Sequence, residues 1–312
     1  MNPSAPFSLP RRRGKIGFTL VELMVSITIT ALLLTVLVGI IGVATDTWAR
    51  NSAEIRANRQ AKAFLETMAK DFESLVTRPG GRFVWLDMQM DTAANLPSVT
   101  TGQASASEAA RLTFLTAATD RYLGEIGGPN DRGGDISCVS YALRYQDPID
   151  GSNNPVTSTF VFKRLLVDPD ETFRDLLGQE DLAAAIGPYA ARLEDSSNFI
   201  CENVHQFTVA YLVEIQRTID GVSRPETVRV ALGSDGVGGR FALTGLGIAS
   251  DIDVGGVSEE QLAAGRLRAV EIGLSVLSDA GIARLSDGQG LSPGDYGRNV
   301  FHYSRVVTVP SL

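Results

Sequence analysis

Soft ligands are scarce in this chain: among 312 residues there are two cysteines, Cys138 and Cys201, and two histidines, His205 and His302. With soft ligands this few, a standard zinc site is not expected. Basic charge is short as well, with 28 Lys and Arg against 36 Asp and Glu and a net charge of −8. A protein that holds nucleic acid by neutralising its phosphates is not expected. The Gly-Lys pair at Gly14-Lys15 is followed by Ile16 rather than Ser or Thr, which rules out a P-loop there and nucleotide hydrolysis with it. Both histidines read as ordinary strand residues, without a nucleophile in a recognised arrangement, and neither catalysis nor a cofactor is expected. The remaining composition, 44% hydrophobic and 21% charged, is that of a folded chain long enough for one large domain or two small ones.

Charge is almost absent from one long stretch. From Phe18 to Ala44, 27 residues carry Glu22 as their only charge and include 16 Leu, Ile, Val and Phe. As a helix this segment is about 40 Å long, beyond the ~30 Å of a bilayer core. Ahead of it, residues 1–17 hold Arg11, Arg12, Arg13 and Lys15 and no acid, a charge of +4 against −12 for the remainder (−8 minus 4). That asymmetry keeps the N-terminal side in the cytoplasm and sends the residues beyond Ala44 across the membrane. A secretory signal fits the basic start and the small residues Gly42-Val43-Ala44, but its apolar region usually spans only ~7–15 residues. A plain single-pass anchor, carrying a binding or enzymatic head, fits the length and gives no reason for Glu22.

The stretch Lys15-Ile16-Gly17-Phe18-Thr19-Leu20-Val21-Glu22 resembles the N-terminal motif of type IV pilins and of the pseudopilins of type II secretion. Gly17, Phe18 and Glu22 match its three marked positions. The resemblance implies that a prepilin peptidase cuts after Gly17 and methylates the new amine of Phe18. It also implies that Glu22 pairs with the Phe18 amine of a neighbouring subunit during assembly. An unpaired charge in low dielectric is costly, so without that partner Glu22 must reach the interface or be protonated. The partners implied are the peptidase, other pilin or pseudopilin subunits and the bacterial inner membrane, with the head periplasmic or extracellular.

No proline falls between Phe18 and Val76, while Arg78-Pro79-Gly80-Gly81 supplies a stop. A helix of up to 59 residues is expected, apolar all round to Ala44. Beyond it, residues 45–78 form an amphipathic half whose stripe takes in Trp48, Ile55, Phe64, Leu65, Met68, Phe72, Leu75 and Val76. Many family members place a proline in the apolar half, whereas this chain offers only Gly39 and Gly42. Residues 79–312 are expected to form a β-rich head. Asp87–Ala110 reads as a long loop, followed by period-two stretches around Leu112, Tyr141, Phe160, Phe207, Val228, Val270 and Phe301. A short helix is expected near Glu180–Leu193, interrupted at Gly187-Pro188. The fold class is α+β, a long helix packed on a mostly antiparallel sheet.

The order of the strand-like stretches, beginning at Ala110, Cys138, Phe160, Cys201 and Arg266, also resembles the large J-type minor pseudopilins and W-type minor pilins. Together with a mature length of 295 residues (312 minus 17), that resemblance implies a minor or tip subunit. Two matters stay open at this level. Cys138 and Cys201 could close a bridge over 62 intervening residues or pack as small free hydrophobes. The Asp-rich turns at 147–154, 168–171 and 251–253 lack the spacing of a calcium loop and read as solvated turns.

Overall fold

In a computed structural model the described residues are 19–91, 96–101, 109–117, 135–152, 154, 157–219, 222–232 and 239–310. Helix α1 runs unbroken over Leu20–Glu73, 54 residues or about 80 Å. It stops short of Val76 because strand pairing captures the last residues of the expected helix. Leu75 bridges Thr116, the Val76 amide donates to the Leu115 carbonyl, and the Ala117 amide donates to that of Ser74. The chain divides into two units, Met1–Ser52 and Ala53–Leu312. In the first, every described α1 residue through Asn51 is exposed. Burial along α1 is complete only at Ala57, Ala61, Phe64, Leu65, Met68, Ala69, Asp71 and Phe72. Trp48 and Ile55 are therefore not part of the buried stripe; Trp48 is 72% exposed.

The second unit holds eleven strands among its described residues. In chain order these are β1 (Val84–Asp91), β2 (Ala109–Thr116), β3 (Ser137–Gln146), β4 (Thr159–Val167), β5 (Phe199–Glu202), β6 (Val204–Ile219), β7 (Val222–Leu232), β8 (Arg240–Thr244), β9 (Gly247–Ser250), β10 (Arg266–Leu277) and β11 (Val300–Thr308). They form a seven-stranded sheet in the order β5-β4-β3-β2-β1-β8-β9 and a four-stranded sheet in the order β11-β10-β6-β7. Every pairing is antiparallel. The helix-plus-antiparallel-sheet layout is the α+β class expected.

Inward residues on alternate positions explain both sheets. Leu86, Met88, Leu112, Phe114, Val139, Tyr141, Phe160 and Phe162 of the larger sheet join Phe207, Val209, Tyr211, Val270, Ile272 and Leu274 of the smaller one in a single core with α1. Phe64 of α1 sits where the two meet, edge-on to Phe162 at 4.6 Å and to Phe207 at 6.3 Å. The far face of the larger sheet is covered by a cap of short helices. These are α2 (Pro169–Glu171), a π turn over Thr172–Leu176, α3 (Leu182–Ala185) and α4 (Ala190–Leu193), the last two separated by a 3-10 turn at Gly187–Tyr189. The break expected at Gly187-Pro188 is there. Leu176, Leu182, Ile186, Tyr189 and Leu193 of the cap pack on Val84, Trp85, Leu115, Cys138 and Leu165.

The expected loop from Asp87 is corrected by β1, which lies inside the sheet between β2 and β8. Asp87 is buried rather than solvated, and Arg240 Nε donates to its Oδ1 at 2.5 Å. Three further helices, α5 (Glu259–Ala263), α6 (Asp279–Ser286) and α7 (Pro293–Asn299), start at Ser258, Ser278 and Ser292, each of whose hydroxyls accepts an amide of the first turn. Glycine is required at two close approaches. A Cβ on Gly245 would lie 2.3 Å from the Gly80 carbonyl oxygen, and one on Gly247, at φ +128°, would lie 2.1 Å from that of Ala263.

Candidate functional site

The exposed half of α1 is chemically uniform but for a few oxygens, and the sequence satisfies them locally. Ser26 donates to the Glu22 carbonyl at 2.6 Å, Thr28 to Met24 at 2.7 Å, Thr30 to Ser26 at 2.7 Å and Thr35 to Ala31 at 2.9 Å. Thr45 and Thr47 do the same to Ile41 and Val43, both at 2.8 Å. Every one of these hydroxyls is spent on the carbonyl four residues earlier, which makes it tolerable in hydrocarbon. Nothing lies within 4 Å of where a Cβ would stand on Gly39 or Gly42. The helix is long and apolar enough to cross a membrane.

Glu22 lies in the first turn, where its amide donates to Thr19 Oγ1 at 3.2 Å. Thr19 thus acts as an N-terminal cap, and the carboxylate sits at the positive end of the helix dipole. Its side chain is exposed. Gly17 and Phe18 lie outside the described residues, so the distance from Glu22 to the expected new amine is not among the observed geometry.

Residues 12–38 match a family described as the prokaryotic N-terminal methylation motif. The chain carries the prepilin-type methylation motif. With the long apolar helix behind it, this motif fits the pilin and pseudopilin family and supports a membrane-anchored, prepilin-like subunit. It implies processing by a prepilin peptidase and association with other pilins. The match ends at residue 38 and leaves the head of this prepilin-like chain unassigned. Neither a curated protein nor a solved structure matches the chain.

The head's candidate groups are dispersed. Cys138 and Cys201 are both free and buried. Register keeps them apart: Cys138 lies opposite Val167 on β4, whereas Cys201 of β5 lies opposite Phe162, five residues along and on the other side of the same strand. At ~3.3 Å per residue that offset alone exceeds the ~7 Å limit between bridged Cα atoms. The bridge alternative is therefore not realised, and both thiols pack as small hydrophobes. Burial raises both, Cys201 to about 12.

His205 and His302 flank Tyr296 of α7, with ring centroids at 5.9 and 6.4 Å. Burial, with His302 nearby, lowers the His205 pKa to about 4. His302 Nδ1 lies 2.8 Å from Ser275 Oγ. Of the Asp-rich turns, Asp147 Oδ1 accepts the Ile149 and Asp150 amides, Asp168 caps α2 and Asp251 accepts the Arg240 amide. No cluster of three or more His, Cys, Asp or Glu able to hold a metal occurs among the described residues.

Two features escaped the sequence reading. Gly290-Leu291-Ser292-Pro293-Gly294 spells the nucleophile elbow of α/β hydrolases. Ser292 instead caps α7 and donates to Asp295 at 2.7 Å, and Pro293 has no N–H to offer an oxyanion. The second is a buried ionic cluster joining α1 to the sheet. Arg164 of β4 grips Asp71 of α1 with Nε to Oδ2 and Nη2 to Oδ1, both at 2.8 Å, and the Tyr141 hydroxyl donates to Oδ2. A carboxylate inside an apolar helical stripe, between Met68 and Phe72, was the signal available.

Proposed function

We propose that this chain is an inner-membrane prepilin, cut between Gly17 and Phe18 and methylated on Phe18, that assembles through α1 into a type IV pilus or type II pseudopilus. The observation that carries the reading is the methylation motif at residues 12–38 placed on an exposed apolar helix with one carboxylate in its first turn. The basic residues before Gly17 support a cytoplasmic N-terminus and a single crossing, with the head on the far side. The size of the head supports a low-copy, minor or tip position. In this reading Glu22 pairs with the Phe18 amine of a neighbouring subunit, so that each charge meets its complement in low dielectric.

The test is N-terminal mass analysis of protein from membranes, followed by subunit cross-linking of the Glu22→Gln variant at equal expression. A methylated Phe18 terminus is expected, with the variant inserted and cleaved normally but cross-linked several-fold less. A terminus near Thr45 would indicate a secretory signal instead. An intact leader would point to a plain anchor, and undiminished cross-linking of cleaved Glu22→Gln would remove the pairing mechanism.

A further inference from the structure

The two sheets end in four edges, and three are protected. β5 and β9 are only four residues long. β7 carries Pro225 flanked by Arg224 and Glu226. Short length, proline and charge are the usual defences against unwanted strand pairing. β11 has neither of the first two, and its one charged side chain is Arg305. The strand is nine residues, Val300–Thr308, without proline or glycine, and it pairs with β10 over its whole length without a register shift.

The hydrogen bonds beyond each end of this ladder fix which groups face outward. The Val309 amide donates to Arg268 and the Ser278 amide to Asn299. Residues 301, 303, 305 and 307 therefore bond to β10, and the amides and carbonyls of His302, Ser304, Val306 and Thr308 point to the free edge. The Val300 amide is taken by Tyr296. None of those four residues has another backbone partner among the described residues. Val306 is 59% exposed. Arg305, half-buried on the opposite face, has no ion pair among the described residues.

We propose that β11 is a docking edge that accepts an extended segment of another protein as a fifth strand of the smaller sheet, antiparallel, with a carboxylate opposite Arg305 and apolar residues opposite Phe301, Tyr303 and Val307. Backbone bonding to the four outward residues supplies the register, and the unpaired Arg305 supplies the charge preference. A second copy of this chain is the poorer occupant: β11 itself, Val300–Thr308, contains no Asp or Glu that antiparallel self-pairing could set opposite Arg305.

The test uses the full chain in detergent micelles and amide hydrogen exchange, with the peptide Thr-Val-Thr-Glu-Thr-Val-Thr-Val-Thr as probe, its Glu opposite Arg305. Without peptide, the amides of His302, Ser304, Val306 and Thr308 should exchange freely while those of Phe301, Tyr303, Arg305 and Val307 are protected. At saturating peptide the first set should slow at least tenfold, and replacing the Glu of the peptide by Lys should weaken binding roughly fivefold. Ser304→Pro removes an outward amide without touching the β10 ladder and should abolish the effect, and Val306→Lys should weaken it should the proline variant fail to fold. Unchanged exchange of the four amides at the highest soluble peptide concentration would overturn the proposal. So would finding those amides already protected in the free protein.

Discussion

Asp71→Asn removes the charge that holds Arg164 while leaving the side-chain shape nearly unchanged. Asp71 is 2% exposed and Arg164 7%, so neither can turn to water once its partner is lost. The wild-type carboxylate accepts two guanidinium bonds and the Tyr141 hydroxyl; the amide presents an NH2 where Arg164 needs an acceptor. A buried charge stripped of its partner costs about 3–5 kcal/mol, at least a fifth of the ~5–15 kcal/mol that holds a domain together. For a head of this size the melting temperature should fall by roughly 6–20 °C.

Urea unfolding of the full chain in detergent measures this, read by the fluorescence of Trp85, which is 5% exposed in the head, in a Trp48→Phe background. The companion variant Asp71→Leu/Arg164→Met/Tyr141→Phe removes every polar member of the cluster. It should return within about 1–2 kcal/mol of wild type, because apolar replacement of a buried ion pair is often neutral. Leader cleavage should be normal in both, since the motif at residues 12–38 is separate from the cluster. An Asp71→Asn variant within 1 kcal/mol of wild type, or a triple variant no better than the single one, would refute the reasoning.

Acid should weaken the head through His205. Its pKa is about 4 folded against ~6.5 unfolded, so the stability it contributes is complete above pH 6.5 and is lost as pH falls toward 4. In His205→Phe that loss, up to roughly 3 kcal/mol, should vanish from pH-dependent urea midpoints. Gly247→Ala should destabilise by about 3 kcal/mol or more, since its Cβ meets a carbonyl at 2.1 Å, whereas Gly273→Ala, whose nearest neighbour is 3.6 Å away, should be tolerated in thermal melts. Neither Cys138 nor Cys201 should react with a thiol reagent in the native head, and both should be labelled after denaturation without reductant.

Periodicity explains what could be read before the structure. Period-two alternation at Tyr141, Phe207 and Val270 located β3, β6 and β10, although β3 is buried on both faces, between the core and the helical cap. The same rule missed the end of β1 because Asp87–Ala110 is rich in Thr, Ala, Ser, Gly and Asn and poor in large apolar residues, and Asp87 is buried only through tertiary contact with Arg240. Short helices such as α5 and α7 announce themselves by a single serine cap, a signal too common to be decisive in isolation. The N-terminal motif was legible because its chemistry is local in sequence. The Asp71 cluster was not, since Arg164 stands 93 residues away.

The bonding of Ser26, Thr28, Thr30 and Thr35 to their own helix has a consequence for how the anchor partitions. A helix whose hydroxyls needed outside partners would be held wherever it first found them. Here, transfer between lipid and a bundle of similar helices exchanges one set of dispersion contacts for another and breaks no hydrogen bond, so the two phases are nearly isoenergetic for all but one side chain. On the proposed filament reading, discrimination between them would fall on Glu22, and a carboxylate at the end of an otherwise indifferent rod would make entry and departure governable by a single charge.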